Sequence, residues 1–176
     1  MSAKKYNSIA IIIHWLMAIL ILCMFILGFY MVDLPKGSDE RSYFFQLHKS
    51  LGLTLALLAL IRISWKFFSR PPESLPDDVT KIQKKLATAT HHLLYLMMFI
   101  QPITGYISSS FAGYKTKFWG IPLPHWGWKS PDLNQLFTLF HEISAVILGL
   151  LILLHLAGAF FHIYNKQFHL FKRMWF

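Results

Sequence analysis

The chain contains one cysteine, Cys23, which excludes a disulfide within it and any CxxC-type metal or redox site. Cys23 falls in the middle of an apolar run, where it is expected to act as a small buried hydrophobe. Charge is also sparse: 14% of the 176 residues are charged, against 55% hydrophobic and 16% aromatic. With mean hydropathy at +0.46, that balance is too apolar for an ordinary soluble domain and predicts one small integral membrane domain over residues 1–176. The chain has no internal repeat and no linker.

The formal net charge of +9 invites a nucleic-acid reading, but the basic residues flank apolar runs and line no soluble face. A membrane with anionic lipid accounts for them, and no nucleic-acid partner is expected.

Four apolar stretches predict membrane helices at about Ile9–Met31, Phe44–Phe68, Leu86–Phe111 and Leu136–Tyr164. The first carries no formal charge and runs on through Phe29 and Tyr30 into Asp33 and Pro35. It therefore reads as a retained span, since a cleaved signal peptide has a shorter core and a small-residue cleavage site. Between the second and third, Ser69–Asp78 is a Pro-rich polar turn. The longest connection, Gly113–Asp132, holds Trp119, Trp126, Trp128, Pro122, Pro124 and Pro131, and is expected to lie at the membrane interface as an aromatic cap.

Lys4, Lys5, Lys66, Arg70, Lys81, Lys84, Lys85, Lys166, Lys172 and Arg173 fall on the side of the two termini. Lys36, Arg41, Lys49, Lys115, Lys117 and Lys129 fall on the other. The positive-inside rule then puts both termini in the cytoplasm, with four crossings of the bacterial inner membrane.

Histidines sit inside the apolar runs, and ionisable side chains at bilayer depth mark a buried partner or a functional path. His141 and His155 are fourteen residues apart, which separates two imidazoles by roughly 21 Å along one helix face. By depth, His14 pairs with His155 in an inner site and His48 with His141 in an outer site. Paired histidines in a helix bundle most naturally hold haem iron, and two imidazoles fill its axial positions, which suits electron transfer and disfavours oxygen binding. These four are therefore the expected metal ligands of two stacked b haems.

Four residues after each stands Ala18, Gly52, Ala145 or Ala159, leaving room beside the ring for a flat macrocycle. Small residues at helix contacts in membranes are an equally familiar source of that pattern. The same positions after His91, His92, His125, His162 and His169 hold Tyr95, Leu96, Lys129, Lys166 and Arg173.

The fourteen-residue step from His48 reaches Arg62 and from His14 reaches Gly28. Arg62 has two readings: charge-assisted pairing with a propionate of the inner haem, or snorkelling to lipid phosphate. Gly28 either lets the outer macrocycle pass close to span one or is a packing residue. His91 and His92 open span three about 100° apart, so one faces the bundle more than the other. Ligation, quinone binding, propionate contact, proton carriage and a plain interfacial role all stay open for them, with His91 the candidate for quinone or propionate. His125, His162 and His169 lie in loops or beyond the spans and are expected to be solvated or lipid-facing.

His14-Trp15 in span one, His48 in LHKSLG, Arg62 in LIRISWK, Pro102 and Gly105 in span three, and His141-Glu142 followed by His155 together resemble the bacterial cytochrome b561 family across nearly the whole chain. The resemblance implies an all-α, four-helix membrane cytochrome with two haems, His14, His48, His141 and His155 matching the family's ligand positions. It also implies an oxidoreductase, because some members oxidise superoxide at the outer face and reduce ubiquinone. Lys49, Lys115, Lys117 and Lys129 near the outer side would steer a small anion there, or simply anchor at the interface. A related class uses such a bundle as an anchor that passes electrons between a soluble dehydrogenase or hydrogenase and quinone. The short chain, with no large soluble extension or extra span, is expected to act on its own. A histidine-lined metal or ion transporter is the alternative from another class.

Overall fold

The computed structural model describes residues 5–69 and 79–176, and the expected Pro-rich turn, with Arg70, falls almost entirely outside them, as does Lys4. Four long helices dominate: α1 (Ser8–Asp33), α2 (Asp39–Phe68), α3 (Lys81–Phe111) and α4 (Pro131–Tyr164). Each covers one of the four apolar stretches and begins upstream of it, because the start is set by a polar cap. Asn7, Ser38, Thr80 and Ser130 each accept a backbone N–H of the first turn through the side chain. Thr80 and Gln83 complete a reciprocal capping box, and Pro131 takes the first turn of α4, where its missing N–H costs nothing. The C-terminal carbonyls of α1 are met by Arg41, whose Nη1 donates to Val32 at 2.8 Å and to Leu34 at 2.6 Å. The chain ends in a short helix α5 (Phe168–Phe171) and a 3₁₀ turn (Lys172–Met174).

Among the described residues three helices, α1, α2 and α4, are long and apolar enough to cross a membrane. The equally long α3 is more polar, carrying Lys81, Lys84 and Lys85 in its first turns and Thr88, Thr90, Gln101, Thr104 and Ser108–Ser110 further on. Much of that polarity is turned inward: Thr90, Ser109 and Ser110 are buried.

The closest backbone packing is α3 against α4, followed by α1 against α2 and α2 against α3. A core of Ile13, Met17, Leu55 and Ala59 ties α1 to α2 and meets Met98 and Phe99 of α3. Neither α1 nor α2 is closely packed on α4. Large side chains cover the outside, including Ile19, Leu22, Ile26, Leu150 and Leu153, as an apolar solvent requires. Cys23 belongs to that outside: it is exposed, not buried as its place in an apolar run suggested. An apolar run long enough to span says nothing of which face a residue takes when lipid and protein interior are both apolar.

The connection between α3 and α4 carries strand pairing of its own. Strands β1 (Lys117–Phe118) and β2 (Ile121–Pro122) form a minimal antiparallel hairpin around Trp119 and Gly120, both with positive φ. One face of α2 grips it. Ser50 donates to the Lys117 carbonyl at 3.2 Å and accepts the Trp119 N–H at 3.2 Å, Gln46 donates to the Lys115 carbonyl at 3.2 Å, and Thr54 accepts the Trp119 indole at 3.0 Å. Tyr106 donates to the Pro124 carbonyl further along the same connection.

Candidate functional site

Two histidine pairs bridge α4 to the α1–α2 hairpin. The rings of His14 and His155 lie 6.2 Å apart between centroids, inclined at 72°. The rings of His48 and His141 repeat that arrangement, 6.2 Å apart and inclined at 75°. His141, Leu148 and His155 recur every seven residues on α4, with buried Leu148 between the two pairs. Only α4 carries a histidine of both pairs, so its heptad stripe sets their separation.

The donor set suits a two-coordinate axial site. Imidazole nitrogens on opposite sides of one metal, each about 2 Å from it, put ring centroids about 6 Å apart. Both pairs have that separation, and both span helix pairs that are not closely packed. Nδ1 of His48 is buried and has no hydrogen-bond partner among the described residues, a condition that costs about 1–3 kcal/mol unless another group answers it. Among the described residues no three or more of His, Cys, Asp and Glu gather to hold a bare metal ion.

Two glycines stand against the second pair. A Cβ on Gly28 would meet Cε1 of His48 at 3.6 Å, and one on Gly105 would meet Cε1 of His141 at 3.0 Å. Gly28 of α1 therefore stands beside the His48 ring of α2. Gly52 answers to a different neighbour: its Cβ would meet the terminal methyl of Met24 at 3.4 Å, which makes it a contact of α2 with α1. Of the other small residues after the histidines, Ala18 is exposed and Ala145 and Ala159 are half-buried.

Arg62 lies at the first pair's end of the bundle, held between two other helices. Its Nε donates to the Tyr95 hydroxyl of α3 at 2.8 Å and its Nη1 to the Ala10 carbonyl of α1 at 2.9 Å. The guanidinium is thus held between α1 and α3. His91 joins the same end, its ring 5.2 Å from that of His155. Its neighbour His92 turns away and donates from Nδ1 to the Thr88 carbonyl at 2.8 Å. His162 pairs with the Gln167 side chain at 2.6 Å, and His125 and His169 are exposed, so none of these three joins the paired rings.

The terminal segments close that end. Trp15, next to His14, donates from its indole to the Met174 carbonyl at 2.8 Å and packs edge-on against Trp175. Tyr6 donates its N–H to the Arg173 carbonyl at 3.0 Å. At the opposite end Lys115, Lys117 and Lys129 are exposed, and the Lys49 ammonium lies 5.7 Å from the Tyr114 ring centre.

Sequence reasoning missed the contacts that hold His141. Gln101 and Thr104 reach it from α3, four residues and one residue before the Gly105 that carried part of the family resemblance. Polar residues flanking Pro102 in an apolar run were the available signal.

Residues 5–176 match the prokaryotic cytochrome b561 family. The chain is 35% identical to cytochrome b561 homolog 2 of Escherichia coli (strain K12) over 117 residues, 66% of this chain and 62% of that protein, so the match spans less than two thirds of that relative. It is 28% identical to the probable superoxide oxidase CybB of Yersinia pestis across 97% of this chain and 96% of that one. It is 27% identical to cytochrome b562 of Cereibacter sphaeroides over 96% and 94% respectively.

Proposed function

The chain belongs to the prokaryotic cytochrome b561 family, a family of membrane cytochromes with b-type haem, and from that premise we propose that it holds two such haems and oxidises superoxide at the periplasmic face while reducing ubiquinone. In this reading the bundle crosses the bacterial inner membrane four times, α3 included, with both termini in the cytoplasm. Basic residues concentrate at that end, and polar side chains of α3 meet its neighbours: Tyr95 bonds Arg62 of α2, and Gln101 and Ser108 bond Ser144 and Thr138 of α4.

The observation that carries the proposal is the repeated imidazole pair at 6.2 Å. His14 and His155 would hold the inner haem, and His48 and His141 the outer. Bound there, the haems supply one-electron carriers near each face of the membrane. Gly28 and Gly105 keep their helices close to the outer rings without a side chain in between. Arg62, with Nε and Nη1 already bonded, would offer its remaining guanidinium nitrogen to a propionate of the inner haem as a charge-assisted donor. His91, against His155, lies where it could donate to a second propionate or to quinone oxygen.

The overall reaction balances as two superoxide anions giving two electrons and two dioxygen molecules, with one quinone taking those electrons and two protons to become the quinol. The exposed Lys115, Lys117 and Lys129 draw the small anion to the outer end. Support for superoxide as donor is the name of the Yersinia pestis relative, matched along nearly the whole of both chains, together with those lysines.

Stopped-flow mixing of the oxidised, haem-loaded protein with superoxide, with and without ubiquinone, tests donor and acceptor together. Haem reduction by superoxide and its reversal by quinone are expected. No reduction at any salt concentration would favour an anchor that receives electrons from a soluble partner, and a purified protein with no Soret band would remove the cytochrome reading.

A further inference from the structure

The two imidazoles of the outer pair are held unequally. His48 Nδ1 has no hydrogen-bond partner among the described residues, whereas His141 Nδ1 stands 3.0 Å from the Gln101 carbonyl oxygen and 3.2 Å from the Thr104 hydroxyl. A carbonyl oxygen only accepts, so Nδ1 of His141 carries the proton and Nε2 keeps the lone pair. The Thr104 hydroxyl donates into its own helix, to the Ile100 carbonyl at 2.8 Å and the Gln101 carbonyl at 3.0 Å, which leaves its oxygen lone pairs for His141.

The same turn of α3 also grips the backbone of His141. The Gln101 amide donates to the His141 carbonyl at 3.0 Å and to the Ser144 hydroxyl at 2.8 Å, and Ser144 in turn donates to the His141 carbonyl at 3.1 Å. Gly105 meets the ring directly: an added Cβ would lie 3.0 Å from Cε1 and 3.2 Å from Nδ1. Tautomer, ring plane and backbone of one histidine are thus set by three residues within five positions of another helix.

We propose that Gln101, Thr104 and Gly105 form a positioning element for His141, fixing its Nδ1–H tautomer and making it the more electron-donating ligand of its pair. Hydrogen bonding from the far nitrogen raises the basicity of a ligating imidazole and favours the oxidised metal. The outer haem should therefore have a lower midpoint than it would with two imidazoles held as His48 is. The proposal rests on the assignment of His48 and His141 as one haem's ligands.

Redox titration and low-spin EPR of the haem-loaded protein test it. In Thr104→Val, which keeps the side-chain shape, one midpoint should rise while the other stays and the haem content is unchanged, and Thr104→Ser should restore the wild-type value. In Gly105→Ala, the displaced ring should move the g values of one haem only. Unmoved midpoints and unmoved g values in both variants would overturn the positioning role. Full retention of both haems in His141→Ala would overturn the ligand assignment beneath it, a separate failure read from haem content alone.

Discussion

Arg62 of α2 donates from Nε to the Tyr95 hydroxyl of α3 at 2.8 Å, four residues along that helix from His91. With its second bond to the Ala10 carbonyl, the guanidinium joins three helices beside the His14–His155 pair. Replacing it with glutamine should shift the midpoint of one haem and leave the other in place, because a propionate loses its charged donor. Tyr95→Phe should produce a smaller shift of the same haem, since it frees one nitrogen and removes no charge. Redox titration of both variants distinguishes this role from lipid anchoring, for which neither midpoint would move.

Loss of one histidine of a pair should cost one haem per chain and spare the other. The pyridine haemochrome content of His48→Ala and His155→Ala is expected to fall by about half in each, because the two pairs are separated by roughly 21 Å along α4. Unchanged content in both variants would reject the pairing.

Charge removal at the far end should act on rate without acting on haem content. Lys115, Lys117 and Lys129 replaced together by glutamine should slow reduction by superoxide at low ionic strength. The difference from wild type should shrink as salt rises, since the screening length falls to about 10 Å at 0.1 M. Stopped-flow absorbance across a salt series reads both effects. Equal rates at low salt would assign the three lysines to interfacial anchoring.

Ser50 serves the hairpin as both donor and acceptor, bridging the Lys117 carbonyl and the Trp119 N–H. Ser50→Ala removes both bonds, each worth about 0.5–1.5 kcal/mol net, and should loosen the connection between α3 and α4. Hydrogen exchange at Trp119 is expected to accelerate while exchange within α2 stays slow. Protection equal to wild type would show that Gln46 and Thr54 suffice to hold the hairpin.

The apolar runs made the long helices legible, since about 20 apolar residues have few alternatives to a helix once backbone groups must pair internally. The upstream starts of α2, α3 and α4 were also written locally, in Ser38, Thr80 and Ser130, but a hydropathy reading follows side-chain transfer and passes over caps. The fourteen-residue step from His141 to His155 placed two imidazoles on one stripe because helix geometry is regular over that length. Local periodicity likewise reached Arg62 and Gly28.

What local periodicity could not decide was which neighbour each of these residues meets. His91 and His92 are adjacent and chemically identical, and only the packing of α3 against α4 turned the first toward His155 while the second bonded back to Thr88. Gly28 and Gly52 read alike as small residues on a haem-facing stripe, yet one lies against His48 and the other against Met24. Cys23 went to the lipid side because rotation of α1 depends on its contacts with α2. The sequence by itself determined the helices, their order and the spacing of the histidines along them, all of which follow from backbone hydrogen bonding and apolar transfer within one segment. The tertiary structure alone decided which rings face each other, that the backbone carbonyl of Gln101 serves His141, and that α2 clasps the distant hairpin, because each depends on the approach of residues far apart in the chain.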